Sequence, residues 1–95
     1  MILVDPLVNW TGMTKLRNKQ WCHMVSDTSA EELHAFAAQL GLKREWSQER
    51  PKASAHHYDL TPTKRQLAVR LGAVEVTARE FVMRNYDGLR KRGLI

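Results

Sequence analysis

"WCHMVSDTSAEELHAFAAQLGLK", residues 21 to 43, joins two different periodicities and so decides the architecture. In "WCHMVS" large apolar and polar residues alternate, as a strand requires. Trp21, His23 and Val25 fall on one face, and Cys22, Met24 and Ser26 on the other. From Asp27 the period changes. Ser29 followed by Glu32 has the spacing of a capping box, with Thr28 and Glu31 offering the same pattern one residue earlier. Leu33, Phe36, Ala37 and Leu40 then follow the i, i+3, i+4, i+7 rule, and Gly41 marks the stop. A strand running straight into a capped amphipathic helix is the unit of an α/β chain.

On the N-terminal side, "ILVDPL" is a short strand that Pro6 ends near Asp5. "VNWTGMTKLRNKQ" has no clean period and reads as a long basic loop over 8–20. Beyond the first helix a basic connection containing Pro51 leads to "AHHYDL", a third strand, with "REW" as a further short extended piece. Thr61 caps a second helix that has Pro62 at its first position and Leu67, Ala68 and Leu71 on its apolar stripe; Gly72 ends it. "AVEV" is a fourth strand. Thr77 with Glu80 opens a third helix expected to bury Phe81, Val82 and either Tyr86 or Leu89, before a basic tail over 90–95. The expectation is one α/β domain over 1–95: a small single-layer sheet of about four strands, mixed or mostly parallel, with three helices. Its expected core is Leu3, Val25, Leu33, Phe36, Leu40, Leu71, Val74, Val76 and Phe81.

Composition bounds the function. The 95 residues, 43% of them hydrophobic, suffice for one core and no second one. Apolar runs such as "MILV" fall far short of the roughly 20 residues of a membrane span, and no secretory pattern opens the chain, so a cytoplasmic protein without membrane contact is expected. A lone cysteine, Cys22, excludes an intrachain disulfide and a cysteine-rich zinc site. Fifteen Lys and Arg against ten Asp and Glu leave a net charge of +5. The basic residues cluster in "TKLRNK", "LKREWSQERPK" and "GLRKRG". Such clusters suit either a solvated surface or contact with nucleic acid or a phosphorylated small molecule.

Candidate chemistry centres on "HHYDL". His57 and Asp59 lie two apart and so share a face of an extended segment, whereas Tyr58 and His56 point the other way. His57 and His23 can move protons near neutral pH. In parallel sheets ligands bind beyond the carboxyl ends of strands, where Asp5, Asp27 and Asp59 stand. Three converging carboxylates would suit a divalent ion such as Mg2+. A zinc site from His23, His57 and an aspartate is a second arrangement, although no H-x-x-x-H pair is present. Each aspartate also has a plain structural use: Asp5 before Pro6, Asp27 at a helix start, Asp59 before a turn. For binding, Arg79 near a helix N-terminus can meet phosphate, and Trp46 with Arg44, in a basic run, can stack on a base; Tyr58 completes this set. Arg79 equally suits a surface ion pair, and Trp46 the edge of the core.

The stretches "WCHMVSDTSAEELHAFAAQLGLKREW", "HHYDL" and "LAVRLGAVEVTARE" resemble a bacterial and phage family, domain of unknown function 4031, over nearly the whole chain. Its pattern falls here on Asp5, Trp21 and His23, the helix around Glu32, Trp46, His57 to Asp59, Gly72, and Arg79 with Glu80. The extra His56 and the longer basic segment from Thr11 to Gln20 depart from it. The resemblance points to the same residues and implies no particular reaction. Two classes of function therefore follow: a hydrolase or phosphodiesterase-like enzyme using a His/Asp site at the sheet edge, or a non-catalytic module, such as a phage accessory protein, that binds nucleic acid or an acidic host protein.

Overall fold

The computed structural model describes residues 1–9, 20–48, 56–91 and 93. Among these residues five strands, β1 (Ile2–Val4), β2 (Val8–Asn9), β3 (Gln20–Ser26), β4 (Tyr58–Leu60) and β5 (Val74–Glu75), form a mixed sheet. Three helices among them, α1 (Ala30–Gln39), α2 (Pro62–Arg70) and α3 (Ala78–Lys91), complete an α/β fold, with a 3-10 turn at Arg44–Trp46. No helix among the described residues is long and apolar enough to cross a membrane.

The strand β3 organises the sheet. It pairs antiparallel with β1 (Leu3 opposite Val25), with β2 (Val8 opposite Trp21) and, along its other edge, with β4 (His23 opposite Asp59). The outer strand β5 pairs with β1 in parallel. Thus β4, β1 and β5 point the same way, but β3 lies between β4 and β1 and runs against both. Neighbouring pairs are therefore mostly antiparallel, and the parallel arrangement expected from the helix crossovers is confined to β1 and β5. β2 lies beside β3 in antiparallel register, so the chain reverses direction between them.

Between Val4 opposite Met24 and Val8 opposite Trp21 the first edge advances four residues while β3 advances three. That extra residue makes a β-bulge around Asp5, Pro6 and Leu7. Pro6 belongs there because it brings no N–H to the ladder. Val8 and Asn9, expected to be loop, are strand, and Gln20 already opens β3; residues 10–19 of that basic segment lie outside the described residues, as do Arg50 and Lys52.

Alternation along the strands separates two packed faces. Ile2, Val4, Cys22, Met24, Tyr58 and Leu60 face α1 and α2, meeting Leu33, Ala37, Leu40 and Ala68. Leu3 and Val25 face the other way, onto Val76 and Phe81 at the start of α3. The helix caps follow the sequence pattern. Ser29 accepts the Glu32 N–H, Thr61 accepts the Lys64 N–H and Thr77 accepts the Glu80 N–H. Glu32 does not complete its box; its carboxylate accepts from Ser26 Oγ, which in turn accepts the Ser29 N–H. Lys64 Nζ donates to the Leu40 carbonyl at 2.6 Å, tying the end of α1 to the first turn of α2.

Some expectations need correction. Phe81 and Leu89 are buried but Val82 and Tyr86 are exposed, since positions 81, 88 and 89 make one stripe and 82 and 86 fall beside it. Leu71 is exposed at the end of α2, and Phe36 is only partly buried. "REW" is a 3-10 turn rather than extended, and Arg90 and Lys91 continue α3 instead of starting a tail. Gly88 sits inside α3 for a steric reason: a Cβ there would meet the Asp27 carbonyl oxygen at 2.5 Å, so the helix approaches the β3–α1 turn backbone to backbone.

Candidate functional site

The pairing register lines up three side chains across the sheet. Asp59 is the direct partner of His23, and the Asp5 N–H donates to the His23 carbonyl at 3.3 Å from the opposite edge. Asp5, His23 and Asp59 thus share the face that carries Leu3, Val25 and Phe81. His57, two residues before Asp59, joins the same face; its ring lies edge-on to that of His23 with centroids 5.6 Å apart. The Phe81 ring, 6.2 Å from that of His23, walls the group on its apolar side.

The bulge explains how Asp5 is used. In a regular antiparallel pair the His23 N–H would donate to the Asp5 carbonyl. Instead it donates to Asp5 Oδ1 at 2.6 Å, while Asp5 Oδ2 lies 2.9 Å from His23 Nδ1. The displaced Asp5 carbonyl accepts from Arg65 Nε at 3.0 Å, and the same guanidinium reaches Glu75 Oε1 at 2.7 Å. An ionised carboxylate only accepts, so His23 Nδ1 donates to Asp5 and Nε2 is turned toward Asp59. The Asp5 side chain is 11% exposed, and both of its oxygens are engaged with His23.

The outward atoms converge. His23 Nε2 lies 3.9 Å and His57 Nε2 3.8 Å from Asp59 Oδ1, and the three ligand-type atoms are all within 4.8 Å of one another. The other Asp59 oxygen, Oδ2, accepts from Gln48 Nε2 at 2.8 Å. Gln48 is held there by two backbone hydrogen bonds with His57, at 2.8 and 3.0 Å. The two carboxylates therefore act differently, Asp5 orienting His23 and Asp59 facing both imidazoles.

The remaining sequence candidates lie elsewhere. Asp27 does not converge with Asp5 and Asp59: it follows the far end of β3, where it meets the N-terminal ammonium at 3.0 Å and Arg84 at 3.3 Å. Burial works to raise its carboxyl, but hydrogen bonds from the ammonium and Thr28, with the charges of the ammonium and Arg84, outweigh it and hold the group below its ordinary value. Tyr58 is 1% exposed on the opposite face, with its hydroxyl 2.7 Å from His34 Nδ1; His56 stacks edge-on to His34 on that side as well. Burial pushes the Tyr58 hydroxyl up, with the Arg44 charge pulling against it. Trp46 is 51% exposed, with Lys43 Nζ 5.6 Å from its ring centre, and Arg44 is exposed beside it. Arg79 is exposed in the first turn of α3. Cys22 is buried, and that burial, followed by the nearby Asp5 charge, pushes its thiol up to about 12, so it supplies no thiolate nucleophile at neutral pH.

Gln48, Arg65 and Phe81 complete the surroundings, and the sequence alone assigns none of them to the site. Only Phe81 leaves a trace there, as an expected core residue one turn into a capped helix. Gln48 reaches Asp59 through an isolated bridge to His57, which no periodicity encodes.

These features together describe an α/β protein with a paired-histidine, paired-aspartate cluster on one face of its sheet. A family model described as "Protein of unknown function (DUF4031)" matches residues 2–87, and the chain belongs to that family. No curated protein and no solved structure matches the chain.

Proposed function

We propose that the protein is a hydrolase acting on a phosphorylated substrate, with a nucleic-acid phosphodiester as the favoured class, at the cluster of His23, His57 and Asp59. The observation that carries this reading is the convergence of two imidazole nitrogens and a carboxylate oxygen on one point, with His23 fixed in one tautomer by Asp5. Lone pairs so arranged serve to activate a water molecule. Water adds to phosphorus, the ester P–O bond breaks, the departing oxygen takes up a proton, and a diester becomes a monoester and an alcohol. The net charge of +5 favours a polyanionic substrate.

The test is hydrolysis of a model phosphodiester and of DNA and RNA oligonucleotides. His57→Ala should lower turnover by about 100-fold or more while oligonucleotide affinity changes little. The exposed Trp46 beside Lys43 and Arg44 favours a second reading, a binding module for nucleic acid. On that reading His57→Ala leaves binding intact and there is no turnover to lose, whereas Trp46→Ala removes affinity that weakens steeply with salt. Parent protein that turns over none of these substrates would reject the hydrolase.

A further inference from the structure

We infer that the cluster is a binding site for one divalent transition-metal ion of the zinc class, ligated by His23 Nε2, His57 Nε2 and Asp59 Oδ1. The inference deepens the hydrolase reading by naming its cofactor, but its geometry stands without that reading. At 3.9 and 3.8 Å the two imidazole nitrogens are too far from Asp59 Oδ1 for hydrogen bonds to it. They are instead placed as ligands around a shared centre. Around a tetrahedral ion with bonds of about 2.0–2.1 Å, ligand atoms lie roughly 3.4 Å apart, about 0.5 Å closer than these two separations, and side-chain rotations on ion binding close the gap.

The surroundings make the stronger argument. Metal-bound histidines characteristically donate their other ring N–H to a carboxylate, and ligating carboxylates are themselves hydrogen-bonded. Both features are present: Asp5 Oδ2 takes the Nδ1 side of His23, and Gln48 Nε2 takes the far oxygen of Asp59. Asp5 and Gln48 are thus positioning residues, each holding a ligand by the atom that faces away from the centre. Asp5 and Asp59 also place two carboxylates around the two imidazoles, a balance that a divalent cation offsets. Two nitrogens and one oxygen are a donor set for zinc and its neighbours; Mg2+ prefers oxygen throughout. Three protein ligands leave a fourth position for water, the pattern of catalytic rather than structural zinc. Bound there, water ionises near neutral pH; its proton leaves to solvent and the hydroxide supplies the oxygen that adds to phosphorus.

Titration of the metal-free protein with Zn2+ by calorimetry, and with Co2+ by visible absorption, tests the site. One ion should bind per chain, and Co2+ should give the intense d–d bands of a four- or five-coordinate nitrogen and oxygen site. His57→Gln and Asp59→Asn should abolish binding, and Asp5→Asn should weaken it about 10- to 100-fold. His34→Gln, on the opposite face, should leave it unchanged. The wild-type Co2+ spectrum keeps the test open even if a ligand variant fails to fold. Absence of Zn2+ and Co2+ binding, only weak octahedral Co2+ bands, parental affinity in His57→Gln and Asp59→Asn, or loss of binding in His34→Gln would each overturn the proposal. Metal binding without hydrolysis retains the metal site and removes the hydrolase; hydrolysis undiminished by EDTA does the reverse.

Discussion

Tyr58→Ala should destabilise the domain by about 3–5 kcal/mol, a large part of the roughly 5–15 kcal/mol that holds such domains together. The ring is among the largest fully buried side chains and belongs to the cluster formed by β1, β3, β4, α1 and α2. Its hydroxyl meets His34 Nδ1 at 2.7 Å, so truncation both opens a cavity and removes a hydrogen bond between β4 and α1. Tyr58→Phe separates the two contributions. It keeps the ring and should cost only about 1 kcal/mol. Urea unfolding of the three proteins reads both values. A Tyr58→Ala midpoint within experimental scatter of the parent would mean that β4 does not dock its inner face on α1.

Alkaline pH should destabilise the protein through Cys22. Its thiol, 1% exposed, is pushed from an ordinary 9.0 up to about 12, first by burial and then by the Asp5 charge, with Arg65 pulling the other way. Because the folded value is the higher one, this stabilisation is complete below about pH 9. Between pH 9 and 12 the unfolded chain has released a proton that the folded chain retains, so unfolding is increasingly favoured. The slope is about 1.4 kcal/mol per pH unit, a total on the order of 4 kcal/mol by pH 12. Tyr58, raised by its own burial, adds to the loss above about pH 10. Cys22→Ala should flatten the fall between pH 9 and 10, before Tyr58 contributes. Equal slopes in parent and variant over that interval would contradict the burial of the thiol.

Much of this fold is written in local pattern. Ser29, Thr61 and Thr77 each cap the helix that their spacing predicts, and the alternation of Cys22 and Met24 with His23 and Val25 assigns the two faces of β3. The two-residue spacing of His57 and Asp59 likewise brings both to one face, opposite Tyr58. What local pattern does not carry is strand order. Periodicity shows which residues share a face but not that β3 lies between β1 and β4, and that order is what sets Asp5, His23 and Asp59 in one row. The bulge at Asp5 is equally hidden, since it appears only as a one-residue change of register. Asp27 shows the opposite failure. Its place at a strand end suggests convergence with the other aspartates, yet the reversal of β3 carries it away from them. Gly88 is legible in principle, as a glycine inside an amphipathic helix, but only the approach of Asp27 shows what it accommodates.

If His23 and His57, and not the other two histidines, face one metal-binding point, their ring nitrogens must report it. Long-range 1H–15N NMR of the histidine rings, with and without one equivalent of Zn2+, follows each residue separately. Large shifts are expected at Nε2 of His23 and His57, with Nδ1 of His23 remaining protonated against Asp5, and essentially unmoved signals for His34 and His56. Zn2+ shifts confined to His34 and His56, or spread evenly over all four rings, would contradict a metal site on this face of the sheet.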